Sequence, residues 1–370
     1  MRRARLVSSC VVEIDEVAEP ELLPGSLLVD VIRCAIGGPD VEAYQGGRLP
    51  SPAWFGHEWV GRVAAVGDGV IGHFVGERVV GSTCPPCGAC RPCLAGLGDH
   101  CNVVLDMIVG TDALSSDHGA FSERIRVDAR RVRAVPEGID DREATLTEPA
   151  AVAAHAVARS GQRLGDLVVI IGGGTVGSIA LQLAVLAGAA RVLIIDPDIH
   201  RRELACDLGA DAAFPDESGA QTWLETQGHG LGADVVYDCS GDAESLIVAL
   251  NTARRGGTIV AVGVANTSSE LTTRQLIADE ITVRASLGYT VADGNRVLDL
   301  MAQDRLAVAD LFDPVEIGLD ELGPTLQRLS ERLVGRRSDP RRSASWILSC
   351  DGRIVRAPPT LPASSIGRTE

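Results

Sequence analysis

The sequence has 370 residues, of which 45% are hydrophobic, and this length suits two domains with separate cores. Its formal net charge of −16 is unfavourable for binding a phosphate backbone, so we expect no nucleic-acid partner. All 34 basic residues are arginine, which excludes Schiff-base chemistry and a lysine-containing phosphate loop.

Two segments bear on a membrane location. Residues 1–9 carry early arginines, but no long apolar run follows them, so they do not resemble a signal peptide. Residues 167–195 are strongly apolar, but three glycines interrupt them near the start, so a strand, turn, helix and second strand explain them better than a membrane helix. We therefore expect a cytoplasmic protein with no membrane partner.

The chain changes character near residue 165. Before it, short apolar runs punctuated by glycine and proline predict a β-rich half. Beyond it, strands and helices alternate, which predicts an α/β fold with a doubly wound parallel sheet. The predicted strands of the whole chain are 27–32, 60–66, 78–80, 168–171, 191–196, 234–238, 258–262 and 281–285, and the predicted helices are 177–187, 201–208, 295–303 and 319–332.

A glycine-rich turn follows the strand at 168–171 and opens the next helix. It has the spacing G-x-G-x-x-G, in which the first glycine allows a tight turn and the second lets a pyrophosphate approach. The third lets helix and strand pack closely, and the helix amino terminus favours phosphate. The turn residues that we assign to a dinucleotide are Gly172, Gly174, Thr175, Val176 and Gly177.

Asp196 ends the next strand, 19 residues after Gly177. A carboxylate there accepts hydrogen bonds from the adenosine ribose hydroxyls and repels a 2′-phosphate, so the sequence favours NAD over NADP. Arg201 follows five residues later, and because an arginine there can bind a 2′-phosphate, NADP is the alternative. We also assign Arg201, Val262 and Gly263 to the cofactor site. Together these features predict a Rossmann domain running from about residue 167 to residue 288.

A cysteine cluster occupies residues 84–101. Cys87, Cys90, Cys93 and Cys101 have the spacing C-x2-C-x2-C-x7-C, and four thiolates so close can form a closed, structural zinc site. Cys84 is a spare neighbour that could replace one ligand. In a cytosolic chain this clustering argues for metal rather than disulfides.

The order of these features resembles the zinc-containing medium-chain dehydrogenases and reductases, in particular the polyol, sorbitol and threonine dehydrogenases, and more distantly the aminocyclitol dehydrogenases. The resemblance extends from about residue 20 to residue 330. Besides the cysteine cluster and the glycine turn, it rests on Gly56-His57-Glu58, Val60-Gly61, Val66-Gly67, Gly76-Glu77-Arg78-Val79, His118-Gly119-Ala120-Phe121, Glu148-Pro149, Gly232-Ala233-Asp234-Val235-Val236 and Gly256-Gly257.

The resemblance implies an organisation and an activity. It implies a GroES-like catalytic domain over 1–152 with the zinc lobe at 84–101, a Rossmann domain over 153–292, and a return to the catalytic domain over 293–370. It also implies transfer of a hydride between NAD and a small polar alcohol or ketone, by a homodimer or homotetramer. His57, Glu58 and Glu148 match the family's catalytic zinc ligands, and Asp40 matches an aspartate that orients the histidine.

The chain departs from the family where the catalytic cysteine belongs. The segment reads Cys34-Ala35-Ile36-Gly37-Gly38-Pro39-Asp40-Val41-Glu42, so Gly37 replaces the cysteine ligand and Pro39 replaces the hydroxyl that relays the substrate proton. Three interpretations stay open: a metal held without the cysteine, a metal held with Cys34, or no catalytic metal. In the absence of a relay hydroxyl, the proton would leave through water, Glu58 or Glu42.

The alternatives to a metal-dependent dehydrogenase follow from this departure. One is a metal-free reductase of a C=O, C=N or C=C bond, in which Glu148 or Glu58 donates the proton. The other is an inactive dinucleotide-binding protein. His155 lies on a predicted helix, and we interpret it as a core residue.

Overall fold

The computed structural model describes residues 1–46, 55–108, 119–227, 230–264, 268, 273–335 and 345–350. Short strands dominate the first part of the chain, and strands and helices alternate in the second. The strands within these ranges are β1 Arg2–Ser8, β2 Val11–Glu16, β3 Ser26–Ile36, β4 Glu58–Val66, β5 Arg78–Gly81, β6 Arg124–Asp128, β7 Val132–Ala134, β8 Leu167–Ile171, β9 Arg191–Ile195, β10 Ala212–Phe214, β11 Ala233–Asp238, β12 Ala253–Ala261, β13 Thr282–Ala285, β14 Phe312–Ile317 and β15 Ser345–Ser349.

The helices of the same ranges lie mostly in the second part of the chain. They are α1 Gly38–Tyr44, α2 Arg91–Leu94, α3 Asn102–Ile108, α4 Asp141–Thr145, α5 Thr147–Ser160, α6 Thr175–Leu186, α7 Ile199–Asp207, α8 Glu217–Gln227, α9 Ser245–Thr252, α10 Thr273–Ala278, α11 Val291–Ala302 and α12 Leu322–Gly335. Among these helices, none combines the length and the apolar character needed to cross a lipid bilayer.

Six parallel strands form one sheet in the order β10-β9-β8-β11-β12-β13. Numbered from β8, this is the order 3-2-1-4-5-6 of a Rossmann sheet, with the crossover beside β8. The central strands are almost wholly apolar because helices cover both faces of the sheet. The predicted doubly wound fold is therefore confirmed.

A seven-stranded sheet contains the β-rich half of the chain. Its order is β14-β15-β3-β4-β5-β7, and β6 also pairs with β3. β15 runs antiparallel to β3, so the last described strand returns to the sheet that begins near the amino terminus. β1 and β2 form a separate antiparallel pair.

Helix α5 connects the two halves. It packs against α6, α11 and β12 of the second half and against β4 and β5 of the first. Its many alanines allow this close packing, and most of them are fully buried in a core cluster that contains residues of both sheets. The amino terminus of α5, which carries Glu148, is thereby brought to the seven-stranded sheet.

The prediction of individual elements was incomplete. It missed the strands β1, β2, β6, β7, β10, β14 and β15, which are short or lack a clear two-residue alternation. It also missed the helices α1, α2, α3, α4, α8, α9 and α10. The structure starts β12 at Ala253 rather than residue 258. It starts α12 at Leu322 rather than residue 319, because residues 319–321 form a 3₁₀ turn. His118 of the family resemblance and residues 351–370 lie outside the described residues.

Candidate active site

His57, Glu58 and Glu148 come together where β4 meets the start of α5. His57 immediately precedes β4, Glu58 is its first residue, and Glu148 lies in the first turn of α5. One ligand atom from each side chain lies within 4.8 Å of the other two. The structure thus brings together three residues that are distant in sequence, and an imidazole with two carboxylates is a donor set that binds divalent metals.

Burial dominates the electrostatics of this cluster. Glu58 is only 5% exposed, and burial raises its pKa to about 8, with a further contribution from the negative charge of Glu148. Burial also raises the pKa of Glu148, and nearby His57 opposes both shifts. In the part of the chain that the structure describes, neither carboxylate is hydrogen-bonded or paired with an arginine. Burial therefore disfavours the charged form of both carboxyl groups, whereas His57 favours it.

The Asp40 carboxylate accepts hydrogen bonds from two backbone N–H groups near this cluster. Its Oδ2 accepts a hydrogen bond from Gly37 N at 2.9 Å, and its Oδ1 accepts one from Gly56 N at the same distance. His57 Nδ1 lies 3.9 Å from Asp40 Oδ1, which is within ion-pair range but longer than a hydrogen bond. Asp40 therefore connects the start of α1 to the segment that carries His57.

The space beside Gly37 is filled by Glu58. A Cβ atom placed on Gly37 would lie 2.5 Å from Glu58 Oε1 and 3.2 Å from Glu58 Cδ. The sequence shows that the cysteine is missing at position 37, but it does not show that the side chain of Glu58 fills the space. The signal was weak because residues 37 and 58 belong to different elements, and only the pairing of Ala35 with Glu58 across β3 and β4 brings them together.

The other residues of the same segment lie elsewhere. Cys34 is buried in β3, where burial raises the pKa of its thiol well above the ordinary value, and its sulfur is not in the group formed by His57, Glu58 and Glu148. Glu42 lies on α1, is partly exposed, and is also absent from that group. Pro39 lies in the first turn of α1.

The glycine turn lies between β8 and α6. Gly172 has φ +90°, a left-handed conformation that favours glycine, and a Cβ there would lie 2.8 Å from the Cα of Ser240. At Gly177 a Cβ would lie 1.8 Å from the carbonyl oxygen of Gly172, so α6 packs directly on the turn. Gly174 is the residue before α6, and Thr175 and Val176 are the first two residues of that helix.

Asp196 lies beside this turn and is 2% exposed. Its Oδ2 accepts a hydrogen bond from Gly173 N at 2.7 Å, and its Oδ1 accepts one from Asp198 N at 2.8 Å. Arg201 Nη1 lies 3.4 Å from Asp196 Oδ2. The carboxylate predicted to bind ribose is thus held in place by backbone donors next to the glycine turn.

Val262 and Gly263 follow the carboxyl end of β12, as the glycine turn follows the carboxyl end of β8 in the same parallel sheet. Their N–H groups both donate to Asp238 O at 2.9 Å. A Cβ on Gly263 would lie 2.3 Å from Gly241 N, so this segment packs tightly on the one that follows β11. Sequence reasoning missed residues 239–241, although the rule that ligands bind beyond the carboxyl ends of parallel strands could have found them.

The four cysteines predicted to bind zinc form a compact group. The sulfur atoms of Cys87, Cys90, Cys93 and Cys101 all lie within 4.8 Å of one another. The pair Cys87–Cys93 is 4.0 Å apart and the pair Cys90–Cys101 is 3.8 Å apart. Four sulfurs placed tetrahedrally at zinc–sulfur distances of about 2.3 Å would be about 3.8 Å apart, so the group matches a zinc tetrad.

Cys84, the spare cysteine of this region, is excluded from that group. It is buried beneath the tetrad and packs with Val104 and Met107. His155 is a core residue, as predicted, and its Nδ1 lies 2.9 Å from Asp293 Oδ2. That pair connects α5 to the start of α11.

The fold and these sites define the class of the protein, which is an oxidoreductase of the two-domain dehydrogenase type. A family model described as zinc-binding dehydrogenase matches residues 175–303. A second model, described as alcohol dehydrogenase GroES-like domain, matches residues 23–137. The predicted GroES-like half and Rossmann half are therefore both confirmed.

Individual relatives agree with these models. A 2-dehydro-3-deoxy-L-galactonate 5-dehydrogenase of Pseudoalteromonas atlantica is 33% identical over 79% of this chain and 84% of its own length. A sorbitol dehydrogenase of Halalkalibacterium halodurans is 30% identical over 78% of this chain and 84% of its own. The structure of a protein titled a zinc-binding dehydrogenase from Sinorhizobium meliloti, bound to NADP, has a TM-score of 0.78 and 28% identity, with 94% of this chain and 98% of that chain covered. The chain belongs to the zinc-binding, medium-chain alcohol dehydrogenase family.

Proposed function

We propose that the protein transfers a hydride between NAD(H) and a small polar secondary alcohol or ketone of the polyol, sugar or aminocyclitol type. The observation that carries this proposal is the convergence of His57, Glu58 and Glu148 in a family of dehydrogenases. The relatives named for sorbitol and for a deoxy-sugar acid support the substrate class, because both act on hydroxylated, water-soluble carbon chains.

The three side chains suit a divalent metal. The carboxylates of buried Glu58 and partly buried Glu148 have no hydrogen bonds or arginine partners among the described residues. Their charges repel each other, and a cation would neutralise them. We propose that His57, Glu58 and Glu148 hold that metal. When bound, it would supply Lewis-acid polarisation of the substrate oxygen.

The chain's own residues have distinct roles in this mechanism. Asp40 fixes the backbone beside His57 through its bonds to Gly37 and Gly56. Glu148 lies in the first turn of α5, where the positive end of the helix dipole opposes the burial that raises its pKa. Since Pro39 has no hydroxyl, the substrate proton must pass to water or to a carboxylate of the site rather than through a side chain at position 39.

We propose NAD as the cofactor. The glycine turn and the positive end of the α6 dipole would hold the pyrophosphate, and Asp196 would bind the adenosine ribose. Arg201 beside Asp196, together with the NADP bound to the Sinorhizobium meliloti protein, makes NADP the alternative. The cysteine tetrad would hold a structural zinc, which would fold a lobe that has little core of its own.

The activity can be tested directly. Zinc-supplemented protein and NAD should produce NADH with at least one member of a panel of polyols, sugar acids and aminocyclitols. Glu148→Gln should lower kcat/KM by about a hundredfold or more, whereas Glu137→Gln, an exposed glutamate, should not. Absence of activity with every member of the panel, with both NAD and NADP, would contradict the proposal, and so would full activity in Glu148→Gln.

A second candidate is a metal-free reductase on the same fold. It is favoured by Gly37 and Pro39, which remove the family's ligand and relay together. In that case Glu58 or Glu148 would protonate the reduced substrate. Full activity after complete removal of every metal except the tetrad zinc would select this candidate.

We also propose the division into domains at 1–152, 153–292 and 293–370. The membership of β14 and β15 in the sheet of β3 supports the return of the last segment to the catalytic domain. A cytoplasmic location is supported by the ten cysteines, because none of them forms a disulfide.

We propose that two copies associate through β13. That strand is at one edge of the Rossmann sheet, and all four of its residues are exposed. Exposed Val283 and the neighbouring Leu287 make this edge apolar. Such an edge favours pairing with another strand, and a second copy related by twofold symmetry supplies one.

A further inference from the structure

Residues 286–294 connect the Rossmann sheet to helix α11 and begin beside the proposed cofactor site. The segment starts directly after β13, and Ser286 N donates a hydrogen bond to Ala261 O. Ala261 is the last residue of β12 and directly precedes Val262 and Gly263, which we assign to the cofactor. A shift of this segment would therefore be felt at the cofactor site.

Tyr289 is the largest side chain of this segment and is only 7% exposed. A Cβ atom placed on Gly294 would lie 3.6 Å from Tyr289 Cε2 and 3.7 Å from Ser82 Oγ, so the ring lies against the first turn of α11, which the end of β5 also approaches. Burial raises the pKa of the Tyr289 phenol well above its ordinary value, and the nearby Glu148 carboxylate adds to this shift. Tyr289 therefore lies close enough to Glu148 for their charges to interact.

Polar contacts fix the part of the segment that follows Tyr289. Thr290 N and Thr290 Oγ1 both donate to Asp293 Oδ2, at 3.0 and 2.6 Å. The same oxygen lies 2.9 Å from His155 Nδ1 on α5. Because α5 also carries Glu148 in its first turn, these contacts connect the start of α11 to the helix that carries Glu148.

An apolar contact with the cysteine lobe fixes the part that precedes Tyr289. Gly288 has φ +58°, a left-handed conformation that favours glycine. A Cβ atom on Gly288 would lie 2.8 Å from Ile108 Cδ1, so the Ile108 side chain packs directly on this backbone. Ile108 is the last residue of α3, a seven-residue helix that starts directly after the tetrad cysteine Cys101. One short helix thus connects the tetrad to the residue before Tyr289.

We propose that Ile108 is a positioning residue, through which the cysteine lobe holds Gly288 and thereby keeps Tyr289 beside Glu148 and the cofactor site. The tetrad would then order one wall of the active site in addition to folding its own lobe. Coupling of this kind travels through packed side chains and is lost when a contact in the series is removed. The inference rests on the proposed function only in that Glu148 and the cofactor belong to the active site.

Hydrogen–deuterium exchange of the full-length, zinc-loaded protein tests this without turnover. Ile108→Ala should speed amide exchange in peptides covering residues 286–294 by about tenfold or more, while the tetrad zinc stays bound. Cys101→Ser, which removes a tetrad ligand, should speed exchange in the same peptides and also lose the zinc. Exchange in β8, at the centre of the Rossmann sheet, should stay unchanged in both variants and shows that they are folded.

Two further variants and a binding measurement make the test specific. Leu105→Ala is the matched control, because Leu105 lies on the same helix and is 44% exposed, and it should leave exchange at 286–294 unchanged. Ile108→Leu keeps an apolar side chain of equal size and should retain most of the protection. NADH, followed by its fluorescence, should bind Ile108→Ala at least about threefold more weakly than Leu105→Ala, a difference that a purely local role of Ile108 in the lobe would not produce.

Several outcomes would overturn the inference. They are unchanged exchange at 286–294 in Ile108→Ala, equal effects of Ile108→Ala and Leu105→Ala, faster exchange that stays confined to the lobe in Cys101→Ser, and equal affinity of Ile108→Ala and Leu105→Ala for NADH. Exchange and NADH binding as expected in a protein that turns over no substrate would contradict the proposed function while supporting this inference.

Discussion

The Asp196 carboxylate has a structural role, to which the proposed cofactor site adds a role in recognition. Its two oxygens accept hydrogen bonds from Gly173 N and Asp198 N, which fix it at the edge of the glycine turn. Carboxylate oxygens accept more than one hydrogen bond each, so ribose hydroxyls can still be bound. In the proposed site, the side chain would therefore couple the shape of the turn to the choice of cofactor.

Replacing this side chain should change the cofactor preference. We expect Asp196→Ser to lower kcat/KM with NAD by about ten- to a hundredfold, the loss of charge-assisted hydrogen bonds. The kcat/KM with NADP should fall less or rise, because the charge that repels the 2′-phosphate is removed and Arg201 is kept. Steady-state kinetics with both cofactors measures this, with Asp207→Ser on the exposed side of α7 as the control. Equal losses with both cofactors would contradict a role in selection.

At the residue scale, the sequence predicted the members of the candidate site better than their arrangement. The group His57, Glu58 and Glu148 follows from the motif segments, and the structure brings these residues together. The contact between Glu58 and position 37 could not be predicted, since it depends on the pairing of β3 with β4. The bonds of Asp40 to two backbone amides also needed the fold.

We expect the stability of the cysteine lobe to depend on the proposed zinc. Its apolar cluster consists of little besides its own cysteines, Val104 and Met107. We expect Cys101→Ser to lose the tetrad zinc and to expose this segment to proteolysis. Cys84→Ser should keep the zinc, because Cys84 lies outside the tetrad. Metal content and limited proteolysis measure both effects, and loss of zinc from Cys84→Ser alone would show that the ligands are misassigned.

The buried carboxylate of Asp293, at the start of α11, forms a hydrogen bond with His155 of α5. Burial opposes ionisation of Asp293, but hydrogen bonds from His155 and Thr290 outweigh it and lower its pKa to about 2. Because aspartate in an unfolded chain titrates near about 3.9, the folded state is stabilised above that pH by about 2 kcal/mol. This stabilisation is lost as the pH falls from about 4 to about 2.

Removing the charge of Asp293 by substitution should produce the same loss of stability. We expect Asp293→Asn to lower the free energy of unfolding at pH 7 by about 2 kcal/mol, with the difference from native protein shrinking as the pH falls below about 4. Urea unfolding over this pH range measures it. Asp299→Asn, on the exposed face of α11, is the control. A difference that stays constant with pH would contradict the assigned role of the carboxylate.

At the element scale, long periodic segments were predictable and short ones were not. The predicted strands at 168–171 and 234–238 lie within β8 and β11, because central strands of a parallel sheet are continuous apolar runs. β10 has only three residues and no periodicity. β15 pairs with β3 across more than 300 positions of sequence, a contact that no local pattern reports.

For the whole molecule, the exposed edge at β13 predicts association. We expect sedimentation to give at least twice the 38.7 kDa mass of one chain. Val283→Glu should reduce the particle to a monomer, because a buried, unpaired charge in the new interface is unfavourable. Leu164→Glu changes an equally apolar, exposed position elsewhere and should leave the mass unchanged. A native monomer at micromolar concentration would contradict this proposal.

The two-domain plan was predictable because it follows from the order of elements along the chain. Alternating strands and helices after residue 165 allow few arrangements other than the sheet with β8 at its centre. The β-rich half was harder to predict, since antiparallel pairings among short strands leave several topologies open. Its seven-stranded order and the position of α5 between the two sheets came only from the structure.

Isotope transfer tests the central claim most directly. Protein supplied with NADH deuterated at C4 and a panel of polyol-derived ketones should place deuterium on the carbinol carbon of the product, as mass spectrometry would show. Transfer from one face of the nicotinamide and its loss in Glu148→Gln would support the account. Product without deuterium, or no product with any ketone in the metal-loaded native protein, would contradict it.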